Sequence, residues 1–141
     1  AFKALRDEGG WIWFVEGHGS DDRIMDGLSV YGAAKRGLAY LWRALAHEAR
    51  GTRVKIGALS PGIMATDFLF IDRDGRDPED RARVVRILNI LADKPETVAA
   101  FAAPRILSAE RSGTRIAWLT GAKIASRFFV SPFVKRRILE D

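Results

Sequence analysis

The sequence predicts an α/β fold built on a parallel sheet, and three observations predict it. Short β-branched and aromatic runs alternate with longer stretches of helical periodicity. The connections between them are short, as in strand-helix-strand crossovers. Glycine and proline punctuate the junctions, at Gly9-Gly10, Gly51 and Pro61-Gly62 among others.

Ala1-Phe-Lys-Ala-Leu-Arg-Asp-Glu8 reads as the last turns of a helix, stopped by Gly9-Gly10. The chain is therefore expected to be the C-terminal part of something longer. Trp11-Ile-Trp-Phe-Val15 is a short apolar run bounded by Gly17-His-Gly19, which fits a buried strand. A polar loop through Ser20-Asp21-Asp22-Arg23 follows. From about Val30 to Arg50 the pattern turns helical, with Leu38, Leu41, Trp42 and Leu45 at i, i+3, i+4 and i+7. Gly51 ends that helix. Arg53-Val-Lys-Ile-Gly-Ala-Leu59 is the next strand, broken by Ser60-Pro61-Gly62.

A right-handed crossover puts both strand C-termini on one edge, where ligands of open α/β sheets collect. The loops over residues 16–29 and 60–70 leave strands there. Asp77-Pro-Glu-Asp80 starts a further helix, with Val84, Val85, Ile87, Leu88 and Leu91 as its apolar face. Lys94-Pro95-Glu96 starts another, through Val98, Phe101 and Leu107. Thr114-Arg-Ile-Ala-Trp-Leu119 reads as the last strand, and Gly121 to Asp141 as a helix broken near Pro132. Three strands make an incomplete sheet, so a preceding half is expected.

Composition narrows the partners. The 141 residues are 48% hydrophobic and 29% charged, the balance of one globular domain. The net charge of +5 comes from arginines spread among acids, without the clustering or the interleaved aromatics of a nucleic-acid footprint. No apolar run approaches the roughly eighteen residues of a transmembrane helix. Cysteine is absent, which excludes disulfides and thiolate metal sites and suits a cytoplasmic or other reducing compartment.

The chemistry lies in Ser29-Val-Tyr-Gly-Ala-Ala-Lys35. The four-residue gap puts Tyr31 and Lys35 on one helix face, where an ammonium favours the ionised form of a phenol. A phenol so placed trades a proton with a carbonyl or an alcohol, which suggests a carbonyl reductase or alcohol dehydrogenase.

Gly10-Trp-Ile-Trp-Phe-Val15, Tyr31-Gly-Ala-Ala-Lys35 and Leu59-Ser-Pro-Gly62 with Thr66-Asp67 together resemble the catalytic half of a short-chain dehydrogenase/reductase. The resemblance covers nearly the whole chain. Glu16-Gly-His-Gly-Ser20, Pro95-Glu-Thr-Val98 and Pro104-Arg105 look most like the chlorophyll b reductase group, without carrying its pigment substrate over. It implies residues 1–141 as the C-terminal, catalytic part of a single domain whose sheet is Rossmann-type and doubly wound, the N-terminal nucleotide-binding half being missing.

The resemblance also implies roles. Tyr31 is the general acid in reduction and the base in oxidation; Lys35 supplies the cation and holds the nicotinamide ribose. Pro61, Gly62, Ile63 and Thr66 meet the nicotinamide end. Ser20 is the third catalytic member, binding the substrate carbonyl. Here the chain departs from the common pattern, which places this serine thirteen residues before the tyrosine, where His18 stands; Ser20 lies eleven before, as in the chlorophyll b reductase group. His18 is the competitor for that role, and a turn-capping serine is the plainer reading of Ser20. The implied cofactor is NADP or NAD, with NADP ranked first, and the choice rests on residues of the missing half. The substrate is a small carbonyl or alcohol, and a homodimer or tetramer is expected through helix 30–50.

Other features read more plainly. Asp72-Arg-Asp-Gly-Arg-Asp77 has a calcium-loop look, but its arginines neutralise it and Arg83 stands where the closing glutamate belongs, so no metal is expected. Trp11 and Trp13 are expected on opposite strand faces, unable to line one pocket together. Phe128, Phe129 and Phe133 with Lys135-Arg-Arg137 are expected to pack as a closing tail over the active site or a neighbour. The competing function is a non-catalytic relative that keeps the fold as an interaction module. Residues 1–141 alone lack the glycine-rich phosphate-binding turn and are expected to be inactive.

Overall fold

The computed structural model describes residues 1–66 and 77–139. Its order is α1 (Phe2–Leu5), β1 (Gly10–Val15), α2 (Ser29–Glu48), β2 (Val54–Ser60), α3 (Pro78–Leu91), α4 (Pro95–Leu107), β3 (Thr114–Ala117) and α5 (Gly121–Val130). The chain forms two compact units, Ala1–Pro61 with Pro104–Ala117, and Gly62–Ala103 with Trp118–Asp141.

The first unit holds a three-stranded parallel sheet in the order β1-β2-β3, as the alternating pattern predicts. Gly10 pairs with Val54 and Val15 with Leu59, so the chain leaves β1 at Glu16 and β2 at Pro61 on the same sheet edge. Val54, Ile56 and Ala58 alternate onto the buried face and pack against Trp42 and Ala49 of the α2 segment. Phe2, Leu5, Ile12, Phe14 and Leu45 close the periphery of that core. The helical stripe thus faces the sheet through Trp42 and Leu45, while Tyr40 (76% exposed) and Leu41 stay outside.

Trp11 and Trp13 correct the expectation made for them. Their rings stack, with centroids 5.0 Å apart and planes 18° from parallel. Residues i and i+2 of a strand share a face, because the side-chain period is two. The Trp13 ring lies flat over Gly57, where a Cβ would fall 2.6 Å from it. Glycine is what lets β1 and β2 pair with that indole between their side chains.

The second unit is organised by Asp93, a buried carboxylate. It accepts from Trp118 Nε1 at 2.6 Å, Arg127 Nη2 at 2.7 Å and Arg136 Nη2 at 2.6 Å. Burial pushes this carboxyl up, but hydrogen bonds from Trp118 and Arg127 and the charges of Arg127 and Arg136 outweigh it and hold it below its ordinary value. The same guanidiniums cap α3: Arg127 donates to Leu91 O, and Arg136 to Ile90 O and Ala92 O. Asn89 Oδ1 accepts from the backbone N–H groups of Ile138 and Leu139 at 2.7 and 2.8 Å.

Two boundaries differ from expectation. The last strand stops at Ala117, two residues early. The final helix ends at Val130, and among the described residues no regular helix follows Pro132, because the tail spends the N–H groups of Ile138 and Leu139 on α3. Phe128, Phe129 and Phe133 are exposed in this unit.

Candidate active site

β1 ends at Val15 and the chain turns at Gly17, directly beneath the first turns of α2. A Cβ on Gly17 would collide with the Tyr31 hydroxyl and fall 3.0 Å from Lys35 Cε. The two side chains predicted to share a helix face therefore converge on one backbone atom, and only glycine leaves room for both. The Lys35 ammonium donates to Val15 O at 3.0 Å and lies 5.7 Å from the centre of the Tyr31 ring.

Ser20 is brought into the same cluster. Its hydroxyl accepts from the Gly17 N–H at 3.1 Å and donates to Lys35 O at 3.3 Å, and the residue is 7% exposed. These bonds are those of a turn-closing serine, and they fix Gly17 under Tyr31. Gly19 has φ +90°, and a Cβ there would sit 2.6 Å from Gly32 Cα. That close approach lays the loop flat on α2. Arg36 finishes the turn, donating to Ser20 O at 3.2 Å and pairing with Asp22 at 2.9 Å.

His18 is half-buried, and its Nε2 is a buried atom with no hydrogen-bond partner among the described residues. It lines a small hollow with Gly19, Leu28 and Gly32. A donor or acceptor left over beside the Tyr31 cluster is what a polar ligand group would satisfy.

Glu16, which the sequence presents only as the first residue of Glu16–Ser20, anchors the site. It is 5% exposed, accepts from Trp42 Nε1 on Oε1 at 3.1 Å, and takes both Arg115 Nε and Nη2 on Oε2 at 2.8 and 2.7 Å. One carboxylate thereby ties the end of β1 to α2 and β3. A lone acid closing an apolar strand run was the available signal, since a buried charge must be paired.

Pro61 is buried at the end of the first unit, and Gly62–Thr66 belong to the second. Gly62 has φ +75°, and a Cβ there would meet Leu119 Cβ at 2.5 Å. Ile63 O accepts from Asp93 N at 3.0 Å, Met64 bridges Asp93, and Ala65 N donates to Asp93 O at 2.9 Å. Thr66 is exposed. The structure thus gathers Ser20, Tyr31 and Lys35 in one unit and fixes Ile63 in the other. Most of the calcium-like stretch, residues 72–76, lies outside the described residues; among those described, no group of three acids or histidines is placed to hold a metal.

The donor set fits the ribose end of a nicotinamide nucleotide. An ammonium has three N–H donors, and Lys35 spends one on Val15 O while facing the Tyr31 ring.

A family model described as short chain dehydrogenase matches residues 3–75, over half of the chain. The chain belongs to that family. Chlorophyll(ide) b reductase NOL of Arabidopsis thaliana is 32% identical over 131 residues, covering 88% of this chain and 36% of that protein. Probable chlorophyll(ide) b reductase NYC1 of Oryza sativa subsp. japonica is 30% identical over 119 residues, covering 84% and 22%. The chain therefore spans little more than a third of these relatives at most. Among solved structures, a 7α-hydroxysteroid dehydrogenase complexed with NADH and 7-oxo glycochenodeoxycholic acid superposes with TM-score 0.62 at 19% identity, covering 83% of this chain and 46% of that one. BdcA in complex with NADPH gives 0.53 at 23%, covering 78% and 44%.

At those identities the superpositions show the fold, which is the Rossmann-type α/β architecture expected. The family and the chlorophyll b reductase likeness read from Glu16–Ser20 both hold. The compartment does not. The four matching relatives are all named as chloroplastic, which overturns the expectation of a cytoplasmic protein. That expectation leaned on the absence of cysteine, which is compatible with any compartment and selects none. No described helix is long and apolar enough to cross a membrane.

Proposed function

We propose that the full-length protein is an NAD(P)(H)-dependent reductase that converts a carbonyl to an alcohol, or the reverse, with Tyr31 as acid and base. One observation carries the reading: the Tyr31 hydroxyl and the Lys35 stem meet over Gly17, with the ammonium anchored on Val15 O. The nicotinamide, when bound, supplies the hydride. In reduction Tyr31 gives its phenolic proton to the carbonyl oxygen as that oxygen gains charge; in oxidation it takes the proton back. Lys35 stabilises the phenolate left behind and directs its remaining N–H groups to the ribose hydroxyls. Pro61, Gly62, Ile63 and Thr66 hold the nicotinamide end.

Ser20 remains our assignment for the carbonyl-binding hydroxyl, which requires its one O–H to turn from Lys35 O to the substrate; His18 is its rival because of its unsatisfied Nε2. The names of the relatives, reductases of chlorophyll(ide) b, support the direction of reduction. The cofactor is NADP or NAD, with NADP ranked first. The exposed Tyr40 and Leu41 on α2 are offered as the face for a second subunit of a dimer or tetramer.

The test is nicotinamide oxidation by the full-length protein with NADPH and NADH over a panel of aldehydes and ketones. Tyr31→Phe should lower kcat by at least about a hundredfold, the scale of one general acid, with cofactor affinity retained. A wild-type protein that binds neither nucleotide would replace the enzyme with an interaction module.

A further inference from the structure

The second unit carries a cleft of about 1020 Å³ between α3 and the segment formed by α5 and residues 131–137. That volume is at the upper end of the roughly 300–1,000 Å³ typical of small-molecule sites. Its walls divide by chemistry. Val85 and Ile90 of α3 face Val130 and Val134 as the apolar lining, and Arg81, Arg86, Lys135 and Arg137 supply cations. The i, i+4 spacing of Arg81, Val85 and Asn89, and of Ala82, Arg86 and Ile90, turns these residues to one side of α3.

Charge decides the occupant. Among the described residues no acid lines the cleft, and none of those four cations forms an ion pair. The two other arginines at the lining, Arg127 and Arg136, are already committed to Asp93 and to α3 carbonyls. The walls are also set in advance, since Asn89 and Arg136 fasten the tail to α3. A preorganised apolar cleft with unmatched cations is complementary to a molecule that has an apolar body and an anionic end.

We propose that this cleft binds a free amphipathic carboxylate, its apolar part between Val85, Ile90, Val130 and Val134 and its anion at Arg86 and Arg137. The proposal does not depend on the reductase reading.

The experiment is calorimetric titration of the full-length protein with sodium oleate below its micelle concentration. Oleyl alcohol is the neutral match in chain length, and acetate is the anion without the chain. Oleate should bind at least about tenfold more tightly than either. Arg86→Gln with Arg137→Gln should remove that advantage at an unchanged melting temperature, and Arg86→Lys with Arg137→Lys should keep most of it. Equal affinity for oleate and oleyl alcohol, acetate binding as tight as oleate, or full oleate affinity in the glutamine variant would each overturn the proposal. So would binding to phosphatidylglycerol vesicles with none to monomeric oleate, which would make the face a membrane contact. Should the glutamine variant fail to fold, loss of the oleate advantage in the wild type at high salt is required in its place.

Discussion

Replacing Glu16 with alanine removes the acceptor for three N–H groups at once. Trp42 Nε1 donates to it from 3.1 Å, and Arg115 from 2.8 and 2.7 Å. The two partners respond differently. Arg115 has a side chain 46% exposed and recovers water when released, so its share is discounted to about 1 kcal/mol. Trp42 is 7% exposed, and its N–H would be left in the core without an acceptor, a loss of about 1–3 kcal/mol. The sum is about 2–4 kcal/mol, which lowers the melting temperature by about 5–15 °C in a domain of this size class. Glu16→Gln keeps a carbonyl oxygen for Trp42 and gives up the charge toward Arg115, so it should lose only about 1 kcal/mol. Denaturant unfolding of the three proteins followed by tryptophan fluorescence measures the difference. An alanine variant within about 0.5 kcal/mol of wild type would refute the clamp, since that is the ordinary scatter of a surface change.

Gly17→Ala puts a methyl group against the Tyr31 hydroxyl and Lys35 Cε; activity should fall at least about tenfold while stability changes by about 1–2 kcal/mol, as read by kinetics and melting on the same sample. Asp93 gives a pH signature. Its folded value lies below the usual 3.8, so the stability it contributes is complete above that value and is lost as pH falls through the lower folded one. Wild type should therefore weaken on acidification below about pH 4 more steeply than Asp93→Asn, which is less stable at neutrality by about 3–5 kcal/mol. Parallel curves for the two proteins would assign the acid loss to other carboxylates.

Local signals carried the fold a long way. β1 and β2 are β-branched and aromatic runs between glycines, and α2 shows its apolar stripe, so each reads from a few neighbouring residues. The Tyr31 and Lys35 pair is one helical turn apart and was legible for the same reason. What escaped was non-local. Glu16 meets partners 26 and 99 residues away, and Asp93 meets Trp118 and Arg136 at 25 and 43. No window along the chain contains such a set. The tail lost its expected helix because Asn89, far back in α3, takes the N–H groups of Ile138 and Leu139. The misplacement of Trp11 and Trp13 had a different origin, since the period of two was there to be used.

The order β1-β2-β3 leaves β1 with a strand neighbour on one side only among the described residues. Gly10–Val15 has no charge and no proline, and its outer N–H and C=O groups meet no strand among the described residues. A strand of that composition recruits whatever extended chain it meets. Handled in isolation, residues 1–141 are a candidate for self-association, and a charged residue beside the run or a complementary strand supplied in trans is the remedy at the bench.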